Sequence, residues 1–301
     1  MSVTPPFATP ANRLRELLAR KKMLVTPSCF DALSAKLIEQ AGFDVAFMSG
    51  FAVSGARLGL PDTGLISYAE MAEQGRNICN AVRLPVIGDG DTGYGNAMNV
   101  KRTVEGYARA GFACVMIEDQ LAPKRCGHTR GKAVVSRDEA FDRIKAAVDM
   151  RQEMLERTGS DILIMARTDA RHEHGLAEAL ARAEKFRDIG ADILFVEAPK
   201  TEAEMREICR SIPSPHMANM VEGGETPILP QDVLADIGYM VALYPLTLMS
   251  SAMKAMSEAL ARLKTDAPRD DLLLSFAEVR TRVGFDDYYA EEQRYASARR
   301  D

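Results

Sequence analysis

From about residue 20 onward, short β-branched and apolar runs alternate with longer segments whose apolar residues recur every three or four positions. That alternation marks strands and amphipathic helices in turn. Strands are expected at Met23–Pro27, Asp44–Ser49, Leu84–Gly88, Ala113–Ile117, Asp161–Arg167, Asp192–Glu197, His216–Asn219 and Tyr239–Tyr244. Helices are expected around Cys29–Ala41, Tyr68–Val82, Asn99–Ala110, Ser136 to about Leu155, Leu176–Ile189, Glu202–Ser211, Pro230–Ile237 and Leu248–Lys264. Ser136 followed by Glu139 reads as a capping box, and Gly190 and Gly238 as helix stops. Residues 1–12 read as a loose arm, and the stretch from Ser49-Gly50 through Leu60-Pro61-Asp62 as a long loop.

Eight strand–helix units at a spacing of roughly 25–35 residues are what a closed parallel (β/α)8 TIM-type barrel requires. An open doubly wound sheet with a helical appendage is the competing architecture. The polar residues favour the barrel: Ser49, Asp89, Asp91, Glu118, Arg167, Glu197 and Asn219 all fall at or just past the C-terminal end of a strand. In a barrel those ends converge on one mouth. The expectation is a single domain over residues 1–301, with the barrel at about 20–265 and a C-terminal helical extension at 266–301. Within the extension, Thr265–Asp271 reads as a linker, and Leu272–Val283 and Asp286–Ala296 as helices that pack against another subunit. Met249, Met253 and Met256 follow helical spacing and read as core.

Composition narrows the classes. Apolar residues make up 47% and charged residues 27% of the 301, ordinary for a globular protein with a substantial core. The net charge of −5 gives no global attraction to nucleic acid or an anionic membrane. No apolar run approaches the roughly 18 residues of a membrane span. The N-terminal arm, rich in Pro and Thr, lacks the apolar segment of a signal peptide. Five scattered cysteines without a CxxC pair fit a reduced, cytoplasmic protein.

The chemistry gathers between Gly88 and His128. Asp89 and Asp91 stand two apart in a glycine-rich stretch, Glu118 ends the next strand, and Asp62 lies in a nearby loop. Carboxylates held close repel unless a cation sits among them, and hard oxygen ligands suit Mg²⁺, with Mn²⁺ as substitute. The four histidines have no metal-ligand spacing to a cysteine, which argues against zinc. Cys126 is flanked by Lys124, Arg125 and His128, cations that lower a thiol pKa and favour proton exchange near neutrality. Cys29, Cys79, Cys114 and Cys209 read as packing residues, and His172 and His174 as solvent-facing loop residues. Arg167 and Glu197 end successive apolar strands, so a structural ion pair between them is expected. That pair is compatible with Arg167 also forking onto a substrate carboxylate.

The run Lys124-Arg125-Cys126-Gly127-His128 resembles the signature of the isocitrate lyase / phosphoenolpyruvate mutase superfamily. The order of the other motifs agrees: Ser49-Gly50, Gly59-Leu60-Pro61-Asp62, Asp89-Gly90-Asp91, Ile117-Glu118-Asp119-Gln120, Ala166-Arg167-Thr168-Asp169, Glu197-Ala198 and Ala218-Asn219-Met220. The resemblance covers about residues 20–260. It implies a barrel assembled as a homotetramer (a dimer of dimers) with a C-terminal helix swapped between subunits. It also implies Mg²⁺ and chemistry on a di- or tricarboxylate through an enolate. Carried over, Asp89 and Asp91 would hold the metal, with Glu118 and Asp62 reaching it through water. Ser49, Gly50, Phe51, Gly127 and Arg167 would grip the substrate. Arg125, His128, Lys124, Glu197 and Asn219 would stabilise the developing carbanion, and Cys126 would protonate it. Phe47 stands where some relatives carry a tyrosine, which leaves the base unassigned.

The resemblance implies a carbon–carbon lyase, because members with a cysteine in this loop are typically lyases. Asn219-Met220-Val221-Glu222-Gly223-Gly224 and the arginine-free segment after Tyr244-Pro245-Leu246 point to 2-alkyl-substituted malates as substrates. Cleavage of 2-methylisocitrate, carboxyphosphonoenolpyruvate rearrangement and oxaloacetate decarboxylation or hydrolysis stay open as alternatives.

Overall fold

A strand in a parallel barrel turns its side chains alternately to the lumen and to the surrounding helices. The structure, a computed structural model, describes residues 9–124 and 133–295. In chain order its elements are α1 (Pro10–Ala19), β1 (Leu24–Cys29), α2 (Ala32–Gln40), β2 (Ala46–Met48), α3 (Gly50–Leu58), α4 (Tyr68–Ala81), β3 (Val86–Asp89), α5 (Ala97–Ala110) and β4 (Cys114–Glu118). Next come α6 (Arg137–Thr158), β5 (Leu163–Thr168), α7 (Ala170–His174), α8 (Leu176–Ile189), β6 (Ile193–Val196), α9 (Glu202–Ser211), β7 (Met217–Asn219), α10 (Gln231–Ile237) and β8 (Val241–Tyr244). α11 (Thr247–Lys264), α12 (Phe276–Val283) and α13 (Phe285–Gln293) end the series. The chain divides into two compact units, residues 1–248 and 249–301.

The first unit holds all eight strands, hydrogen-bonded in parallel in the order β6-β5-β4-β3-β2-β1-β8-β7. A parallel bridge between Leu194 and His216 joins β6 to β7 and closes the ring. The expected (β/α)8 barrel is therefore the observed one. Phe47, Ile87, Cys114, Met116, Leu163, Met165, Ile193, Phe195, Met217, Val241 and Leu243 pack together as one cluster, the lumen. Their strand neighbours, among them Met48, Val86, Val115, Ile117, Ile164, Ala166 and Leu194, pack instead with the helices.

Four local expectations are corrected. The arm at residues 1–12 gives way to α1 at Pro10, which stands in the first turn where its missing N–H costs nothing, with Thr9 capping Asn12. Ala11, Leu14 and Leu17 join the lumen cluster. Arg15 meets Asp161 at 2.6 Å and Asp192 at 3.1 Å, residues that precede β5 and β6, so α1 closes the N-terminal end of the barrel. The long loop after Ser49 begins with α3, whose glycines mask it in a propensity reading. Cys29 ends β1, and α2 starts after Asp31, which forms a capping box with Ser34. His172 and His174 lie on the short helix α7.

In the second unit, a 3₁₀ turn at Asp270–Leu272 replaces the expected start of a helix, which begins at Phe276. α11 buries none of its residues, so Met253 and Met256 are more than half exposed rather than core. No helix of the described residues is long and apolar enough to cross a membrane.

A buried polar network fixes the exits of β4 and β5. Asp119 Oδ2 accepts from Thr168 Oγ1 at 2.7 Å and Arg182 Nη1 at 3.0 Å, and its Oδ1 accepts from the Asp169 N–H at 2.9 Å. Arg143 Nη1 donates to the Gln120 carbonyl at 2.8 Å. Burial pushes the Asp119 carboxyl upward, and neighbouring Asp169 adds to it, while the hydrogen bonds and Arg182 oppose. Arg182→Met would leave that carboxylate buried without its cation. The expected cost is about 3–5 kcal/mol of unfolding free energy, measured by urea denaturation. A loss below about 1 kcal/mol would mean that the network does not hold the strand exits.

Candidate active site

The lumen parity runs past the strand ends. Two residues beyond Phe47 is Ser49, beyond Ile87 Asp89, beyond Met116 Glu118, beyond Met165 Arg167, beyond Phe195 Glu197, and beyond Met217 Asn219. All six are at most 9% exposed. They face one cavity, open to solvent, that is also lined by Phe51, Asp62 and Lys124. The expected convergence of these residues on one mouth is present.

Asp89 is held from two sides. Its Oδ2 accepts the Gly50 N–H at 3.0 Å, and its Oδ1 accepts the Asp91 N–H at 3.0 Å. The first donor belongs to the opening turn of α3, where Ser49 is the cap and unpaired N–H groups favour an anion. A side chain at Gly50 would place its Cβ 2.7 Å from Asp89 Oδ2, so only glycine admits the carboxylate there. Asp91 sits in the left-handed region (φ 49°), as do Tyr94 (φ 62°) and, after β6, Ala198 (φ 53°). Such backbone is costly outside glycine and gathers at functional sites.

Acid crowding defines the electrostatics. Lys124 Nζ lies 2.6 Å from Asp62 Oδ1 and 2.7 Å from Asp91 Oδ1, with all three side chains buried. Burial pushes the Asp91 carboxyl up to about 7; Lys124 opposes that, while Asp89 and Asp62 reinforce it. Burial works against the Lys124 ammonium too, but Asp91, Asp62, Asp89 and Glu118 together hold its pKa well above the usual lysine value. Burial also raises Glu118 well above the carboxylate range, against the pull of Arg167.

Arg167 is the second cation. It donates to Asp169 through Nε at 2.8 Å and Nη2 at 2.9 Å. Its Nη2 lies 3.1 Å from Glu197, its Nε lies 3.4 Å from Glu118, and the guanidinium lies over the Phe195 ring. The expected Arg167–Glu197 pair is present. Asp169 was not anticipated, although its place two residues after the arginine was the available signal. Nη1 carries none of these contacts, so the fork that Arg167 can offer a ligand is narrower than expected. Asn219 Nδ2 donates to Glu197 Oε2 at 3.2 Å, and the Ala198 N–H to Oε1 at 2.9 Å. Arg125, Cys126, Gly127 and His128 lie outside the described residues.

The donor set fits a hard divalent cation by chemistry and charge. Glu118 Oε1 is buried without a hydrogen bond among the described residues. Apart from the Lys124 ammonium, Asp62 Oδ1 and Asp91 Oδ1 have no hydrogen-bond partner among the described residues. Among the described residues no three His, Cys, Asp or Glu side chains form a ready cage.

The chain is similar to known proteins over nearly its whole length. A family model described as phosphoenolpyruvate phosphomutase matches residues 14–264. A 2,3-dimethylmalate lyase of Eubacterium barkeri is 44% identical over 292 residues, 96% of this chain and 99% of its own. A 2-methylisocitrate lyase of Aeropyrum pernix is 38% identical, covering 94% of this chain and 90% of its own. Among solved structures, a 2,3-dimethylmalate lyase of the PEP mutase/isocitrate lyase superfamily superposes with a TM-score of 0.91 at 35% identity, over 98% of each chain. A phosphonopyruvate hydrolase in complex with oxalate and Mg²⁺ superposes with a TM-score of 0.81 at 29% identity, over 97% of this chain and 99% of the other. With its motifs ordered around a barrel mouth of this geometry, the chain belongs to the phosphoenolpyruvate phosphomutase family, within the PEP mutase/isocitrate lyase superfamily.

Proposed function

We propose that the protein is a divalent-cation-dependent carbon–carbon lyase that cleaves 2-alkyl-substituted malates, such as 2,3-dimethylmalate, to pyruvate and a short carboxylic acid. One observation carries the substrate choice: the cavity wall on the β7–β8 side is Val221, Leu243, Pro245 and Leu246, backed by Phe47 and Phe51. An alkyl group is stabilised against such a wall, whereas a third carboxylate there would be buried without a counter-ion. The cations among the described lining residues, Lys124 after β4 and Arg167 in β5, do not belong to that wall. The full-length likeness to a 2,3-dimethylmalate lyase supports the same choice.

Asp89 and Asp91, with Asp62 and Glu118 through water, would hold Mg²⁺ or Mn²⁺, which supplies charge neutralisation to the substrate's hydroxyl and carboxylate oxygens. Ser49, the Phe51 N–H in the first turn of α3 and Arg167 would orient the pyruvyl half, the Gly50 N–H being held by Asp89. Loss of the 2-hydroxyl proton turns that C–O bond into a carbonyl, and C2–C3 breaks. The bonding pair passes to C3 and its carboxylate, giving an aci-carboxylate dianion. Arg125, His128, and Asn219 acting with Glu197, stabilise that charge, which is where fixed dipoles and cations act most strongly. The Cys126 thiol delivers a proton to C3 and is left as a thiolate. The apolar face that α11 leaves exposed (Met253, Met256, Leu260, Leu263) supports assembly of the chain into a homotetramer.

Pyruvate release from 2,3-dimethylmalate and 2-methylisocitrate, measured side by side with Mg²⁺ and with chelator, tests the reading. Cleavage of dimethylmalate that stops with chelator is expected; a preference for methylisocitrate would mean that a third carboxylate finds a cation after all. Cys126→Ser should lower cleavage by at least about a hundredfold while substrate affinity stays within a few-fold. Full activity in that variant would remove the thiol from the reaction.

A further inference from the structure

Lys124 has no ordinary reason to be buried. Its side chain is 7% exposed, and its ammonium bridges carboxylates of two different loops, Asp62 at 2.6 Å and Asp91 at 2.7 Å. The contact is built in rather than incidental. Gly64, in the Asp62 loop (φ +74°), packs against this segment: a Cβ there would meet the Lys124 backbone nitrogen at 3.5 Å and Pro123 at 3.6 Å, so the two loops are in van der Waals contact. The Oδ1 atoms that Lys124 touches have no other hydrogen-bond partner among the described residues. Among the described residues Lys124 is therefore the cation that a harder, more highly charged ligand would have to displace from them.

We propose that Lys124 is a resident counter-ion: its ammonium and the divalent cation compete for the Asp62–Asp91 carboxylate pair, so that cation binding expels the ammonium into the cavity. The inference rests on the cation requirement proposed above. Asp62, Asp89, Asp91 and Glu118 crowd one mouth, while Arg167 is already engaged by Asp169 and Glu197. A monovalent ammonium therefore leaves acid in excess, and a dication corrects the balance. The two cations repel at such range and cannot both be served by the same oxygens. Once expelled, Lys124, which already lines the cavity, becomes an unpaired cation beside an anionic substrate. Metal before substrate is then the favoured order, and Lys124 keeps the site folded and charge-compensated until metal arrives.

The test uses Mn²⁺ alone, without substrate or turnover. Its binding is followed by electron paramagnetic resonance on wild type, Lys124→Met and Lys124→Arg. Competition predicts that the Met protein binds Mn²⁺ roughly tenfold or more tightly than wild type, because the dication no longer has to displace a charge. The Arg protein should stay near wild type. In parallel, wild-type protein is pulse-acetylated in chelator and in saturating Mn²⁺, and modification of Lys124 is read by mass spectrometry. Several-fold greater labelling with Mn²⁺ is expected, a readout that holds even if the Met protein does not fold. Mn²⁺ bound with Lys124 labelling unchanged, or bound more weakly by the Met protein, overturns the competition and leaves the cation requirement standing. Wild-type protein that retains no Mn²⁺ at millimolar concentration overturns both.

Discussion

Like charges crowded into a dry space are the constraint on which the rest of this molecule depends. Asp62, Asp89, Asp91 and Glu118 are each at most 8% exposed around one barrel mouth. Two like charges about 4 Å apart at an effective dielectric of about 20 repel by roughly 4 kcal/mol. The lysine ammonium and the arginine guanidinium offset part of that. Glu118 nevertheless stays shifted far toward its protonated form, and burial pushes Asp91 up to about 7. A site built this way is poorly balanced until a further cation enters. On the proposed function, that imbalance gives it a use for metal and for an anionic substrate whose charge grows during reaction.

The fold supplies the positions. Lumen parity carries six polar residues from six strands to one level, the first turn of α3 presents an N–H to Asp89, and left-handed backbone at Asp91 turns the chain back over the strand. The Asp119–Arg182 network locks the exits of β4 and β5, so that Glu118 and Arg167, direct partners across the two strands, keep their register. The barrel thus bears the repulsion in its rigid part.

Much of this was legible in the sequence, and for a physical reason. Parallel strands buried on both faces read as apolar runs, so all eight stood out, and the polar residues that end six of them marked the mouth. What failed to show was what propensity hides. α3 is glycine-rich because backbone must approach Asp89, and α1 begins at a proline that reads as a breaker away from a helix start. Asp169 stood in the sequence only as the end of a motif, with no partner assigned, and the fold sets it against Arg167. Lys124 read as a catalytic cation, whereas the fold pairs it with two acids. Cys126 lies outside the described residues, so its role stands on the sequence motif and its chemistry.

The central claim is that the barrel mouth holds a small dianion only when a divalent cation accompanies it. Calorimetric titration of oxalate into the protein, once with Mg²⁺ and once with chelator, tests it most directly. The account predicts saturable binding with Mg²⁺ and none detectable with chelator. Equal affinity in both would show that Lys124, Arg167 and the loop cations suffice, and would contradict it.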